Sequence, residues 1–165
     1  MEIHLLVVGC SRSSRQAERV EFSYRLVDTG WAHARLADGD TCVELPASYR
    51  SDALSELLTA LSAIQDGADT AACTWREEPG EYRWDFTHDT NRLKLEVRCY
   101  HRAPTEDGQV IFACEAPTAD MEHTFTTAIR QVLDQWGEAG YLAEWLEHPF
   151  PTDLLEYVEA RIPNP

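Results

Sequence analysis

The sequence predicts an α+β fold: antiparallel sheet built from about eight strands, with two or three helices packed on it. Three observations carry this. Runs of β-prone residues alternate apolar and polar side chains with period two, leucine-rich segments repeat with helical spacing, and short Asp/Gly and Pro/Gly clusters separate consecutive runs. Such runs read as an antiparallel meander.

Taken in order, residues 2–9 read as a buried strand, and Val20, Phe22, Tyr24 and Leu26 as a second with one apolar face. Asp28-Thr29-Gly30 turns the chain. Residues 31–36 and 41–45 form a hairpin about Asp38-Gly39-Asp40, and Pro46 is expected to end its second strand. Ser51 is the expected N-cap of a helix through Leu54, Leu57, Leu58, Leu61 and Ile64, closed by Gly67. Ala71, Cys73 and Trp75 share a strand face, as do Tyr82, Trp84 and Phe86, with a type II turn expected at Pro79-Gly80 between them. Leu93, Leu95, Val97 and Cys99 make the next strand and residues 109–116 the last.

The final third changes character. Phe125, Ala128, Ile129, Val132, Leu133 and Trp136 fall on one helical face that begins near Asp120 and is expected to break at Gly137 and Gly140. A short helical turn follows over 141–146. Thr152 then caps a helix whose buried side is Leu154, Leu155, Val158 and Ile162. The order admits division into two ββββα halves, 1–66 and 67–162, but each is too small to be stable alone. The expectation is a single domain over residues 1–165.

Composition narrows the function. With 165 residues, 44% of them apolar, the chain can fill a sizeable core. Fourteen basic residues against 29 acidic ones leave a net charge of -15, which repels nucleic-acid phosphates and anionic lipid and favours encounter with a basic protein. The acid is concentrated late: residues 115–161 hold ten acidic and two basic side chains. Cys10, Cys42, Cys73, Cys99 and Cys114 are odd in number and lack a Cys-x-x-Cys pair, so neither a disulfide framework nor a zinc knuckle is written here. No signal peptide or membrane-spanning run is apparent, and the expected compartment is the cytosol.

Three stretches and the scattered histidines are the candidates for function. Cys10 with Arg12 or Arg15 follows a predicted strand, where a thiolate and backbone amides could cradle phosphate; the spacing is one residue short of a tyrosine-phosphatase loop. The six histidines lack helical ligand spacing, so no metal or cofactor is expected. Glu77, Glu78 and Glu81 surround the Pro79-Gly80 turn with Tyr82 and Trp84 beside them, a pattern that joins aromatic anchors to negative charge. Residues 137–151, with Trp145 and His148, form a Gly- and Pro-bounded corner. No catalytic residue is assigned.

The stretch Trp75-Arg76-Glu77-Glu78-Pro79-Gly80-Glu81-Tyr82-Arg83-Trp84, together with Gly140-Tyr141, Trp145 and His148-Pro149-Phe150-Pro151, resembles small acidic bacterial α+β proteins of uncharacterised activity over about residues 50–162. The architecture also resembles that of bacterial toxin-immunity proteins. The resemblance implies no catalytic residues. The leading expectation is a non-enzymatic, acidic protein-binding module, an immunity-type inhibitor of a basic protein, that uses Glu77, Glu78, Glu81, Tyr82, Trp84, Trp145 and His148. The alternatives are a small hydrolase or phosphate-handling enzyme using Cys10, and a structural homodimer joined through a sheet face bearing Tyr100 and Ile111.

Overall fold

A computed structural model describes residues 19–102 and 107–164. The strand expected at 2–9 and the Cys10 loop lie outside the described residues. Among the described residues, seven strands and three helices are arranged in the order β1 (Glu21–Asp28), β2 (Trp31–Asp38), β3 (Thr41–Ser48), α1 (Ala53–Gln65), β4 (Thr70–Arg76), β5 (Glu81–Asp89), β6 (Arg92–Tyr100), β7 (Gln109–Pro117), α2 (Thr118–Trp145) and α3 (Thr152–Glu159). The strands form two antiparallel meanders rather than one broad sheet: β1-β2-β3 and β4-β5-β6-β7.

Period-two alternation sets which face is buried. Trp75, Tyr82, Trp84, Phe86, Leu93, Leu95 and Val97 point inward from the four-stranded sheet, while Arg83, Lys94 and other polar neighbours face outward. Across that outer face Arg83 stands opposite Arg98 and Asp85 opposite Glu96. Like charges in register are unfavourable, and each is offset along its own strand by Arg83–Asp85 at 2.9 Å and Arg98–Glu96 at 3.2 Å.

The two sheets and the helices share one connected core. Trp84 packs on Trp75, with ring centroids 4.4 Å apart, and meets Phe22 of β1 and Phe125 of α2 edge-on at 6.2 Å. Tyr24 of β1 packs edge-on against both Trp75 and Trp145. Leu54, Leu57, Leu58, Leu61 and Ile64 of α1 and Leu155 and Val158 of α3 complete the cluster.

Several local expectations are corrected. Pro46 does not end β3 but sits inside it opposite His33, which is tolerated because β3 is the outermost strand of its described sheet. Asp52, not Ser51, precedes α1, and the Ser51 hydroxyl instead accepts the Arg76 N–H at 3.0 Å. The β4–β5 connection is not a type II turn: the Glu78–Pro79 peptide is cis, Glu78 takes the positive φ, and the Glu77 N–H donates to the Gly80 carbonyl at 3.0 Å. Gly80 is needed there for close approach, since a Cβ would fall 2.5 Å from the Tyr100 carbonyl oxygen. The second long helix continues through Gly140 and kinks only at Gly137. Thr152 is the first residue of α3 rather than its cap, and its hydroxyl meets Glu138. Ile111 is the extra residue of a bulge, since Val97 pairs with Phe112 and Arg98 with Val110.

Candidate functional site

The two stretches singled out around residues 75–85 and 141–150 come together at one end of the molecule. The link between β3 and α1 joins them: Arg50 forms an ion pair with Glu78, Ser51 accepts from Arg76, and Asp52 Oδ2 lies 3.8 Å from His148 Nδ1. The β1–β2 turn fastens the same end. Gly30 donates its N–H to the Glu144 carbonyl at 2.7 Å and accepts from the Tyr49 N–H at 2.9 Å, and Thr29 donates to the Glu144 carboxylate at 3.3 Å. Gly30 has φ +78°, and a Cβ there would lie 2.9 Å from the Tyr49 ring and 3.4 Å from Leu146. Position 30 therefore requires glycine on both counts.

The acidic members of the expected site lie at or near the surface. Glu78 is exposed, and Glu77 and Glu81 are half-buried. The aromatic members are not available: Tyr82, Trp84 and Trp145 are at most 2% exposed. Alternation along β5 sends Tyr82 and Trp84 to the core face, and Trp145 follows Tyr141 by one helical turn onto the buried side of α2. Their role is to hold the turn and corner in place. Burial, reinforced by Glu77, raises the Tyr82 pKa, so its hydroxyl stays neutral.

The exposed apolar groups at this end are Leu142, 41% exposed, and Leu146, 44% exposed. They lie four residues apart on the helix face beside the Tyr141–Trp145 pair. Leu146 adopts φ 71° and ψ -72°, and the Glu147 N–H donates to the Trp145 carbonyl at 3.0 Å. This is a γ-turn of the rarer, strained hand. It stops α2 where Leu146, like Tyr49, approaches Gly30, and Glu144 and Glu147 flank it in the chain. Periodicity assigns Leu142 and Leu146 to no buried face, which is the signal by which the sequence could have marked them.

Behind the corner lies a buried polar group. Asp52 Oδ1 is buried and outside strict hydrogen-bond geometry, and burial raises the Asp52 pKa against the opposing pulls of His148 and of the nearby Ser55 N–H and hydroxyl. The hydroxyls of Tyr24 and Tyr141 are close enough to affect each other's ionisation without meeting hydrogen-bond geometry. Glu56, one turn along α1, accepts the Thr74 N–H at 3.1 Å, and burial raises its pKa as well. At 3.8 Å the His148–Asp52 contact is too long for a hydrogen bond, and neither hydroxyl is paired with a base.

The described cysteines, Cys42, Cys73, Cys99 and Cys114, are free and buried. Burial raises the thiol pKa of Cys73 and Cys99 and pushes Cys114 up to about 12, so these three stay protonated. Among the described residues no three His, Cys, Asp or Glu side chains converge as a metal-binding group. Nor is any described helix long and apolar enough to cross a membrane. No protein-family model matches the chain, and no curated protein matches it either.

Proposed function

We propose that this chain is a non-enzymatic, cytosolic protein-binding module of the immunity-inhibitor kind, and that the end built by residues 28–30, 49–52, 77–81 and 142–148 docks a basic protein. One observation carries the reading: the strained turn at Leu146 leaves its apolar side chain 44% exposed, four residues after the similarly exposed Leu142 and flanked in the chain by Glu144 and Glu147. Backbone strain persists where the surrounding structure enforces it, and an apolar centre with an acidic rim is what a basic partner with its own apolar patch requires. Leu142 and Leu146 take the anchoring role first assigned to the aromatic residues.

The test is affinity capture of the tagged chain from its native cytosol at low and high salt, with mass spectrometry of what stays bound. A stoichiometric basic protein is expected, retained at low salt and weakened at high salt. Capture should fall at least about tenfold in Leu142→Ser/Leu146→Ser, and association should slow in Glu144→Lys/Glu147→Lys. A clean preparation at both salt concentrations, or a partner indifferent to all four substitutions, would refute the proposal.

A further inference from the structure

The corner that carries Leu146 is hung between two buried anchors. Trp145 is fully buried at its near end, and Phe150 at its far end packs edge-on against Tyr141 with ring centroids 5.1 Å apart. Residues 146–149 bridge the anchors. Pro149 restricts the residue before it to extended backbone, so the chain at His148 has little freedom of its own. Among the described residues, the one ion pair made by this bridge joins His148 to Asp52, in the link between β3 and α1.

The nitrogen and oxygen, 3.8 Å apart, are beyond hydrogen-bond distance but within ion-pair range, on side chains 28% and 29% exposed. At that separation neutral imidazole gains little, whereas imidazolium gains a charge–charge attraction that partial burial shields from salt and solvent. The neighbouring groups are largely spoken for. Glu56 of α1 feels both Asp52 and His148 and is balanced by the Thr74 N–H and by Arg76 of β4. Tyr24 of β1 and Tyr141 of α2 also face Asp52, and burial raises both hydroxyls, so they stay neutral. Arg50 is taken up by Glu78, and the Glu144 carboxylate accepts from Thr29. Imidazole is the side chain whose ordinary ionisation falls between pH 5 and 8, so His148 is the member of this group suited to change charge near neutrality.

We propose that His148 and Asp52 form a proton-operated latch that fasts the Leu146 corner to the start of α1 and so regulates how firmly the docking surface is held. With the imidazole charged and the carboxyl ionised, the pair closes; with either group neutral, the corner opens more readily. The contribution of His148 is present where imidazole is charged and is lost as pH rises through its ionisation. At the acid end the latch is lost again as Asp52 takes up its proton, and because burial raises that pKa, the loss begins above the ordinary carboxyl value of about 3.9. The latch is therefore closed in a mildly acidic window. It rests on the docking reading only for its use, and it is measured without a partner, so either can fail alone.

Two backbone bonds report on the corner. The Leu146 N–H donates to the Leu142 carbonyl at 2.9 Å and the Glu147 N–H to the Trp145 carbonyl at 3.0 Å, and opening exposes both amides to solvent. In the full chain labelled with nitrogen-15, their exchange is followed by NMR from about pH 5 to 8, corrected for the intrinsic rate at each pH, alongside the ring-proton shifts of His148. Both amides should be protected about two- to fivefold more at the acid end of that range than at the alkaline end, with the midpoint on the His148 titration. His148→Gln should flatten the profile. Asp52→Asn, which keeps the shape and loses the charge, should flatten it too and guards against a folding defect in the first variant. Glu56→Gln should leave it in place. The proposal is overturned if protection in the parent chain does not vary with pH, if the variation persists in His148→Gln or in Asp52→Asn, or if Glu56→Gln abolishes it.

Discussion

Leu146 is a non-glycine residue at φ 71° and ψ -72°, a conformation that costs about 1–3 kcal/mol. Two substitutions separate backbone from side chain. Both Leu146→Gly and Leu146→Ala remove the exposed apolar group, but only glycine relieves the backbone, so the glycine variant should be the more stable by about 1 kcal/mol or more in urea denaturation. Equal stabilities would mean that the turn is unstrained. A second residue-scale expectation concerns Asp52. Burial raises its carboxyl pKa in the folded protein, so the stability it contributes is fully present below the unfolded carboxyl range of about 3.9. That contribution is lost as pH rises through the folded pKa. Asp52→Asn should therefore leave stability nearly unchanged at about pH 3.5 and raise it at about pH 7, read as the urea midpoint at each pH. A loss at neutral pH would mean that the attraction of His148 outweighs burial.

At the scale of elements, α2 is two helical segments meeting at Gly137, whose φ 65° and ψ 171° belong to glycine. A Cβ at this position would touch nothing within 4 Å, so the cost of Gly137→Ala is the backbone term alone, about 1–3 kcal/mol. Gly140, three residues on, is helical, and its Cβ would meet only Trp136 at 3.6 Å, an ordinary contact. Gly140→Ala should thus stabilise by up to about 1 kcal/mol. Opposite signs for these substitutions in equilibrium unfolding would establish where the helix bends. The kink also aims the segment that carries Leu142 and Leu146, so Gly137→Ala is expected to lower partner capture as well as stability.

Over the whole molecule, the buried aromatic residues tie the two sheets together. Trp84 touches Phe22 from one sheet, Trp75 from its own and Phe125 from α2. Trp84→Ala should cost about 3–5 kcal/mol and destabilise both sheets in one transition, with far-ultraviolet circular dichroism and tryptophan fluorescence coincident. Two separated transitions would show that the halves 1–66 and 67–162 unfold independently. Net charge acts at the same scale. A charge of -15 repels itself, and in the last third Arg130 pairs with Glu159 and Arg161 with Asp66, which leaves Asp134, Glu147, Asp153 and Glu156 outside any ion pair among the described residues. The same unbalanced charge is what would draw a basic partner to the docking end.

Among the described residues the sequence by itself determined where the strands and helices lie but not all of their ends, because the periodicity that marks an element is local. Leu54 to Ile64 could only form a one-sided helix, and Tyr82, Trp84 and Phe86 could only share a strand face. It also determined the acidity and the absence of a Cys-x-x-Cys pair. Tertiary structure decided what the elements do together. The alternation of Tyr82 and Trp84 fixes that they share a face but not which face meets the helices, and that choice buried them. Pro46 reads locally as a strand end, yet the outermost position of β3 lets it remain in the strand. The meeting of Arg50 with Glu78, of Asp52 with His148, and of Gln65 with Glu122 joins residues far apart in the chain, and no local pattern encodes such encounters.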